Sequence, residues 1–259
     1  SDENGHGTFL ASVAAGGENI QEGFTGAASE AEIAVVKLKE AKDYLRKFYG
    51  IRQKAVCYQE TDIMQGLRYL HLLALKNQKP LVMCVALGTN LGGHNGMSSL
   101  SQILGSYSRL VDRCVVIGGG NEANERHHFQ GQLNQVGEVQ EVEMRVESGN
   151  TGFVAELWGT IPNIVTAYLI SPSGERSPVI SIRQGSRYQL TFPFEQTVVD
   201  VEYRLFLRDG RSQLLFLKFD HPAQGIWKIG VQSLGRADGE FHIWLPVREF
   251  LDGNVYFLE

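Results

Sequence analysis

The spacing of apolar residues changes once along the chain, near residue 130, and that change limits the fold more than any other feature. Before it, short apolar runs alternate with segments whose apolar residues recur every three or four positions. After it, apolar and polar residues alternate one for one. The first pattern is that of buried strands and amphipathic helices, the second that of half-buried antiparallel strands. The chain therefore predicts an α/β part followed by an all-β part.

In the first part, Ala31-Glu32-Ile33-Ala34-Val35-Val36-Lys37-Leu38 ends in β-branched residues and predicts a buried parallel strand. A polar connector of mixed charge follows, about residues 39–60, with helical potential at its start. Its signs alternate, as on a solvated face or a flexible loop. Thr61 is a candidate helix cap and Asp62 suits a first turn; Ile63, Leu67, Leu70 and Ala74 then share one face. Pro80 marks the exit. Leu81-Val82-Met83-Cys84-Val85-Ala86-Leu87 predicts a second strand, and a Gly/Asn loop runs from Gly88 to Gly96. Leu100, Ile103, Leu104, Tyr107 and Val111 trace another helix, and Cys114-Val115-Val116-Ile117 a third strand closed by Gly118-Gly119-Gly120. Strands joined through helices imply a parallel sheet with right-handed crossovers.

In the second part, Val142, Met144 and Val146 alternate with polar residues, as do Val165, Ala167 and Leu169 before the turn Pro172-Ser173-Gly174-Glu175. Val199, Val201, Tyr203, Leu205 and Leu207 lead to Asp209-Gly210, a hairpin signal, and Leu215, Leu217 and Phe219 continue beyond it. Trp158, Trp227 and Trp244 sit in strand patterns, as core or edge aromatics. Eight or more short strands predict a β-sandwich or jelly roll.

With 24 basic and 29 acidic residues, the net charge of −5 excludes a strongly basic nucleic-acid-binding chain. No stretch approaches the ~18 apolar residues of a membrane span. Ser1-Asp2-Glu3-Asn4 are polar and carry no signal-peptide pattern. Cys57, Cys84 and Cys114 fit no zinc spacing, and the latter two lie in apolar runs that predict buried thiols. His127-His128 has no evident third ligand, so no metal site is expected there.

Three segments carry candidate chemistry. In Gly5-His6-Gly7-Thr8, a histidine opens an Ala-rich helix that Thr8 could help to start. It is either a general base at a helix N-terminus or a turn histidine with a structural hydrogen bond. Gly120-Asn121 ends a strand: Asn121 is either an oxyanion donor or a turn asparagine. Ala86-Leu87-Gly88 also ends a strand, either as an edge for a substrate backbone or as an ordinary exit.

Taken in order, these segments resemble the subtilases, the subtilisin-like serine proteases. The resemblance rests on Gly5-His6-Gly7-Thr8 with Ala14-Ala15-Gly16, on the small-residue segment from Gly26-Ala27-Ala28 to Val36-Lys37-Leu38, on Ala86-Leu87-Gly88 where the family has Ser-Leu-Gly, and on Gly120-Asn121. It covers about residues 1–126. Gly88-Thr89-Asn90, Gly93-His94-Asn95-Gly96 and the run from Gly120 to His128 are similar to the spore-germination protease branch of spore-forming anaerobes, which inserts a jelly roll before the nucleophile. Gly225-Ile226-Trp227 and the run Phe241-His242-Ile243-Trp244-Leu245-Pro246 resemble its late strands.

The resemblance implies an α/β fold: an incomplete subtilisin-like parallel sheet with flanking helices, interrupted by an all-β jelly-roll insertion. Residues 1–129 would be partial protease domain, 130–247 the insertion, and 248–259 a return segment. His6 would be the general base, Asn121 would line the oxyanion hole, and Ala86, Leu87 and Gly88 would flank the substrate. No cofactor or metal is implied. Partners would be a peptide or protein substrate and the rest of the parent chain, with no nucleic acid and no membrane. The setting would be bacterial, secreted or spore-associated. Asp2 is too close to His6 to be the family's aspartate, and no Gly-Thr-Ser nucleophile block occurs; Ser98, Ser99 and Ser101 precede Asn121 and lack that context. An internal piece of an endopeptidase, inactive by itself, is the expectation. A pseudoprotease acting in binding or signalling is the alternative, since the family's aspartate and nucleophile serine are absent and Ala86 stands where its Ser-Leu-Gly strand has serine. An independent recognition role for the β part is a third reading.

Overall fold

The structure is a computed structural model, and it describes residues 4–205, 211–235 and 239–258. Asp2, Leu207 and the Asp209-Gly210 turn lie outside the described residues.

Among the described residues, four helices and two parallel strands make up the first part. Helix α1 spans His6–Ala15, α2 Asp43–Tyr49, α3 Glu60–Lys76 and α4 Ser99–Ser108. Strands β1 (Leu81–Val85) and β2 (Arg113–Ile117) pair in parallel, from Leu81 opposite Arg113 to Val85 opposite Ile117. Helix α3 starts two residues earlier than expected: Gln59 rather than Thr61 is its N-cap, and Glu60 and Asp62 place negative charge at the positive end of the helix dipole. The Thr61 hydroxyl instead accepts from the Gln59 side chain at 2.5 Å. Ser98 caps α4, its oxygen accepting from Ser101 N–H at 3.1 Å.

Helices α3 and α4 cover one face of this small sheet. Leu67 and Leu104 meet Met83 and Val85 there, flanked by Ile63, Leu100, Ile103, Tyr107 and Val115. The other face carries Val82, 66% exposed, and Val116, 50% exposed. Cys84 and Cys114 are therefore exposed rather than buried, because alternation along each strand turns them away from the helices. Cys57 is the buried thiol, and burial raises its pKa.

The strand expected over residues 31–38 does not form. Those residues carry the β-branched side chains of a strand but are not hydrogen-bonded into a ladder, and Ile33 and Val35 are exposed. A strand needs a hydrogen-bonded neighbour as well as suitable side chains. Among the described residues β1 pairs with β2 alone. The segment runs beside α3 instead, with Val36 against Gly66 and Glu32 paired to Lys79. The connector beyond it is not simply a solvated face either. Arg46 is buried in α2, where its guanidinium donates to the carbonyls of Ala41, Gln53 and Ala55 and to Glu40.

Among its described residues the second part holds ten strands: β3 (His128–Leu133), β4 (Val139–Val146), β5 (Gly152–Thr160), β6 (Val165–Ile170), β7 (Ser186–Phe192), β8 (Thr197–Arg204), β9 (Ser212–Asp220), β10 (Gly225–Ser233), β11 (Gly239–Trp244) and β12 (Val255–Phe257). They form two antiparallel sheets, β12-β4-β10-β6 and β3-β11-β5-β9-β8-β7. One core lies between them. It contains Val142, Met144 and Val146 from β4, Val199, Val201 and Tyr203 from β8, and Leu215, Leu217 and Phe219 from β9, as the alternation predicted. Trp227 is fully buried at its centre, edge-on to Phe192 and Phe219, with its indole N–H donating to the Ala223 carbonyl.

Candidate active site

Parallel pairing brings the carboxyl ends of β1 and β2 to one place, where ligands bind in open α/β sheets. The N–H of Gly118 donates to the Val85 carbonyl at 3.1 Å, so the turn after β2 starts beside residues 86–88. Gly120 has φ of 86°, a left-handed turn that glycine adopts without steric cost. Asn121 follows it, exposed.

His6 reaches the same end from far away in sequence. It is the first residue of α1, whose N-cap Gly5 has φ of 80°. The N-cap glycine has no side chain to offer, and the His6 N–H is satisfied by the Asn4 side chain at 3.3 Å. The exposed ring of His6 places Nε2 3.4 Å from the Ala86 carbonyl oxygen. His6, Ala86, Leu87, Gly88 and Asn121 thus lie on three segments that converge at one end of a two-stranded sheet. Ser98 and Ser101 lie elsewhere, bonded to each other in the cap of α4.

The loop after β1 is fastened to the outer face of the six-stranded sheet. Gly92 N–H donates to Glu156 at 2.8 Å, and the Trp158 indole N–H donates to the same oxygen at 2.9 Å. Burial raises the Glu156 pKa, and these two bonds only partly oppose it. Leu91 joins Tyr49, Val154, Trp158, Leu214 and Phe216 in a small apolar cluster. Gly93 lies so close to Trp158 that a Cβ there would sit 3.2 Å from the ring. Asn95 donates to the Ser212 hydroxyl at 3.0 Å. Trp158 and Trp244 are therefore only partly buried, beneath this loop, whereas Trp227 is in the core.

The sequence reading missed one cluster beside Asn121. The Glu122 carboxylate accepts from His127 Nδ1–H at 2.5 Å, from Arg248 N–H at 3.2 Å and from the Asn90 side chain at 3.4 Å. His127 is thus a partner of Glu122, and His128 stacks on Trp244. Among the described residues no group of three or more His, Cys, Asp or Glu is arranged to hold a metal, and no helix is long and apolar enough to cross a membrane.

Comparison with known proteins agrees with this architecture. No curated protein matches the chain. A solved structure of the Clostridium perfringens CspB protease matches it with a TM-score of 0.83 and 26% identity. That match covers 100% of this chain and 51% of the other, so the chain spans about half the length of that protease. The family model for the subtilases, the S8 peptidases, matches residues 1–193, which takes in His6, residues 86–88 and Asn121. With its histidine turn, its parallel strand pair and this match over most of its length, the chain belongs to the subtilase family.

Proposed function

We propose that the chain is part of a subtilisin-like serine endopeptidase. His6 is the general base and Asn121 the oxyanion donor, while Ala86, Leu87 and Gly88 form the edge along which a peptide substrate lies. The observation that carries this reading is the His6 ring at the Ala86 carbonyl, at the end of the sheet where Asn121 also emerges. In the family mechanism an aspartate on Nδ1 selects the tautomer whose Nε2 is free, and Nε2 then takes the proton of the serine hydroxyl. The oxyanion that forms on the substrate carbonyl is stabilised by N–H donors, here the side-chain amide of Asn121.

The aspartate and the serine come from the remainder of a longer protein. Two observations support this: the chain spans about half of the CspB protease, and the face of β1 and β2 carrying Val82, Cys84, Cys114 and Val116 is exposed. In this reading residues 1–129 are part of the protease domain, 130–247 are a jelly-roll insertion, and 248–259 return toward the protease domain. The two antiparallel sheets around one core support a jelly roll. The motifs shared with the spore-germination branch support a bacterial, secreted or spore-associated protease that processes a proenzyme during germination. The 259-residue chain alone hydrolyses no peptide.

The gene beyond residue 259 tests this. A downstream Gly-Thr-Ser block supports the reading. A reading frame that stops there, or one with the serine replaced, removes the endopeptidase and leaves a pseudoprotease.

A further inference from the structure

The turn that presents Asn121 has little packing of its own. A Cβ at Gly119 or at Gly120 would meet nothing within 4 Å, and Asn121 is exposed. Something other than side-chain packing must hold its geometry. The next residue, Glu122, gathers donors from three other segments. Asn90, two residues beyond Gly88, donates its side-chain N–H to Oε2 at 3.4 Å. His127, just before β3, donates Nδ1–H at 2.5 Å. The Arg248 N–H, just after β11, lies 3.2 and 3.3 Å from the two carboxylate oxygens.

His127 extends the connection. Its side chain is only 2% exposed, and Nε2 lies 3.4 Å from Asn254 Oδ1. That oxygen accepts from Val255 N–H at 3.0 Å, at the start of β12. The backbone of the same stretch is fixed too: Leu245 N–H donates to the His127 carbonyl, and Phe257 N–H to the Arg126 carbonyl, each at 2.9 Å.

We propose that Glu122 is a positioning residue for Asn121: its carboxylate holds the oxyanion turn against the loop after β1 and against both ends of the β-strand tract. The proposal rests on the reading of Asn121 as oxyanion donor. Hydrogen bonds to an ionised acceptor are the strong ones, and three kinds of donor converge on this carboxylate. Small misplacements of an oxyanion donor are costly, because stabilisation depends on where the developing charge sits.

Two measurements on Glu122→Ala test it, with His127→Gln as a second variant that keeps the carboxylate but exchanges its buried imidazole donor for a flexible amide. In the 259-residue chain, amide NMR shifts are read at Gly120 and Asn121. Both signals should shift and broaden in Glu122→Ala, and less so in His127→Gln. In the full-length protein, kcat on a peptide substrate should fall about 10- to 100-fold with KM within about twofold. In an Asn121→Gly background, Glu122→Ala should then change kcat less than about twofold, since the group it positions is gone. Unmoved Asn121 signals, an effect on KM alone, or equal losses of kcat in both backgrounds would overturn the proposal. A full-length protein that neither hydrolyses peptides nor reacts with a fluorophosphonate counts against the protease reading; the amide measurement then decides on Glu122 by itself.

Discussion

The imidazole of His94 lies flat against the indole of Trp244, with ring centroids 3.8 Å apart and planes 5° apart. The ring of His128 stacks on the same indole at 3.7 Å. Two rings cannot occupy one face of an indole at that separation, so Trp244 is sandwiched between them. The sandwich clips the loop after β1 to β3 and β11. His128 also lies 2.9 Å from His242, nitrogen to nitrogen.

This sandwich should respond to pH. Burial, then His242 and His94, lower the His128 pKa below the ordinary 6.5. The folded state thus binds the proton less readily than the unfolded chain. The stability this group contributes is complete above pH 6.5 and is lost as pH falls through the lower folded value. Indole fluorescence followed against pH should show a transition with its midpoint below 6.5 that disappears in Trp244→Phe. A midpoint at or above 6.5 in the wild type contradicts the assignment.

Trp227 fills the space between the two sheets, fully buried and edge-on to two phenylalanines. Its truncation leaves a cavity that the packed sheets cannot close. Trp227→Ala should cost about 3–5 kcal/mol in urea unfolding. Trp158→Ala, on the partly buried outer face, should cost clearly less. Equal losses at the two positions would show that the core is not centred on Trp227.

Acid should weaken the six-stranded sheet through Glu202. Burial pushes its pKa up, but the hydrogen bonds from Arg204 and Arg187 outweigh this and hold the carboxyl below its usual 4.5. Its stabilisation is present above pH 4.5 and lost as pH falls through the folded value. Arg187 and Arg204 are 70% and 43% exposed, so solvent screens both pairs. Glu202→Gln should therefore cost only about 1 kcal/mol at pH 7, and the gap to wild type should close as pH falls through the lowered folded value. A gap that widens in acid contradicts the ion-pair account.

The all-β part was legible because a strand buried on one face writes its alternation directly into the sequence: Val142, Met144 and Val146 needed no other information. The parallel part was harder. Residues 31–38 have strand side chains, yet strand formation depends on a neighbour that no local pattern encodes. Cys84 and Cys114 were misjudged for a related reason, since an apolar run predicts burial on both faces and α3 and α4 cover only one. The segments of His6, Gly88 and Asn121 were readable from short motifs. Glu122 was not, because its donors at positions 90, 127 and 248 are brought together by tertiary structure alone.

Fluorophosphonate labelling of the full-length protein tests the central claim most directly. The account predicts covalent labelling of a single serine downstream of residue 259. Labelling should become undetectable in His6→Ala and slow by about 10²- to 10³-fold in Asn121→Ala, as expected for loss of the base and of one oxyanion donor. Labelling that persists unchanged in His6→Ala, or an intact full-length protein that does not label at all, would contradict it.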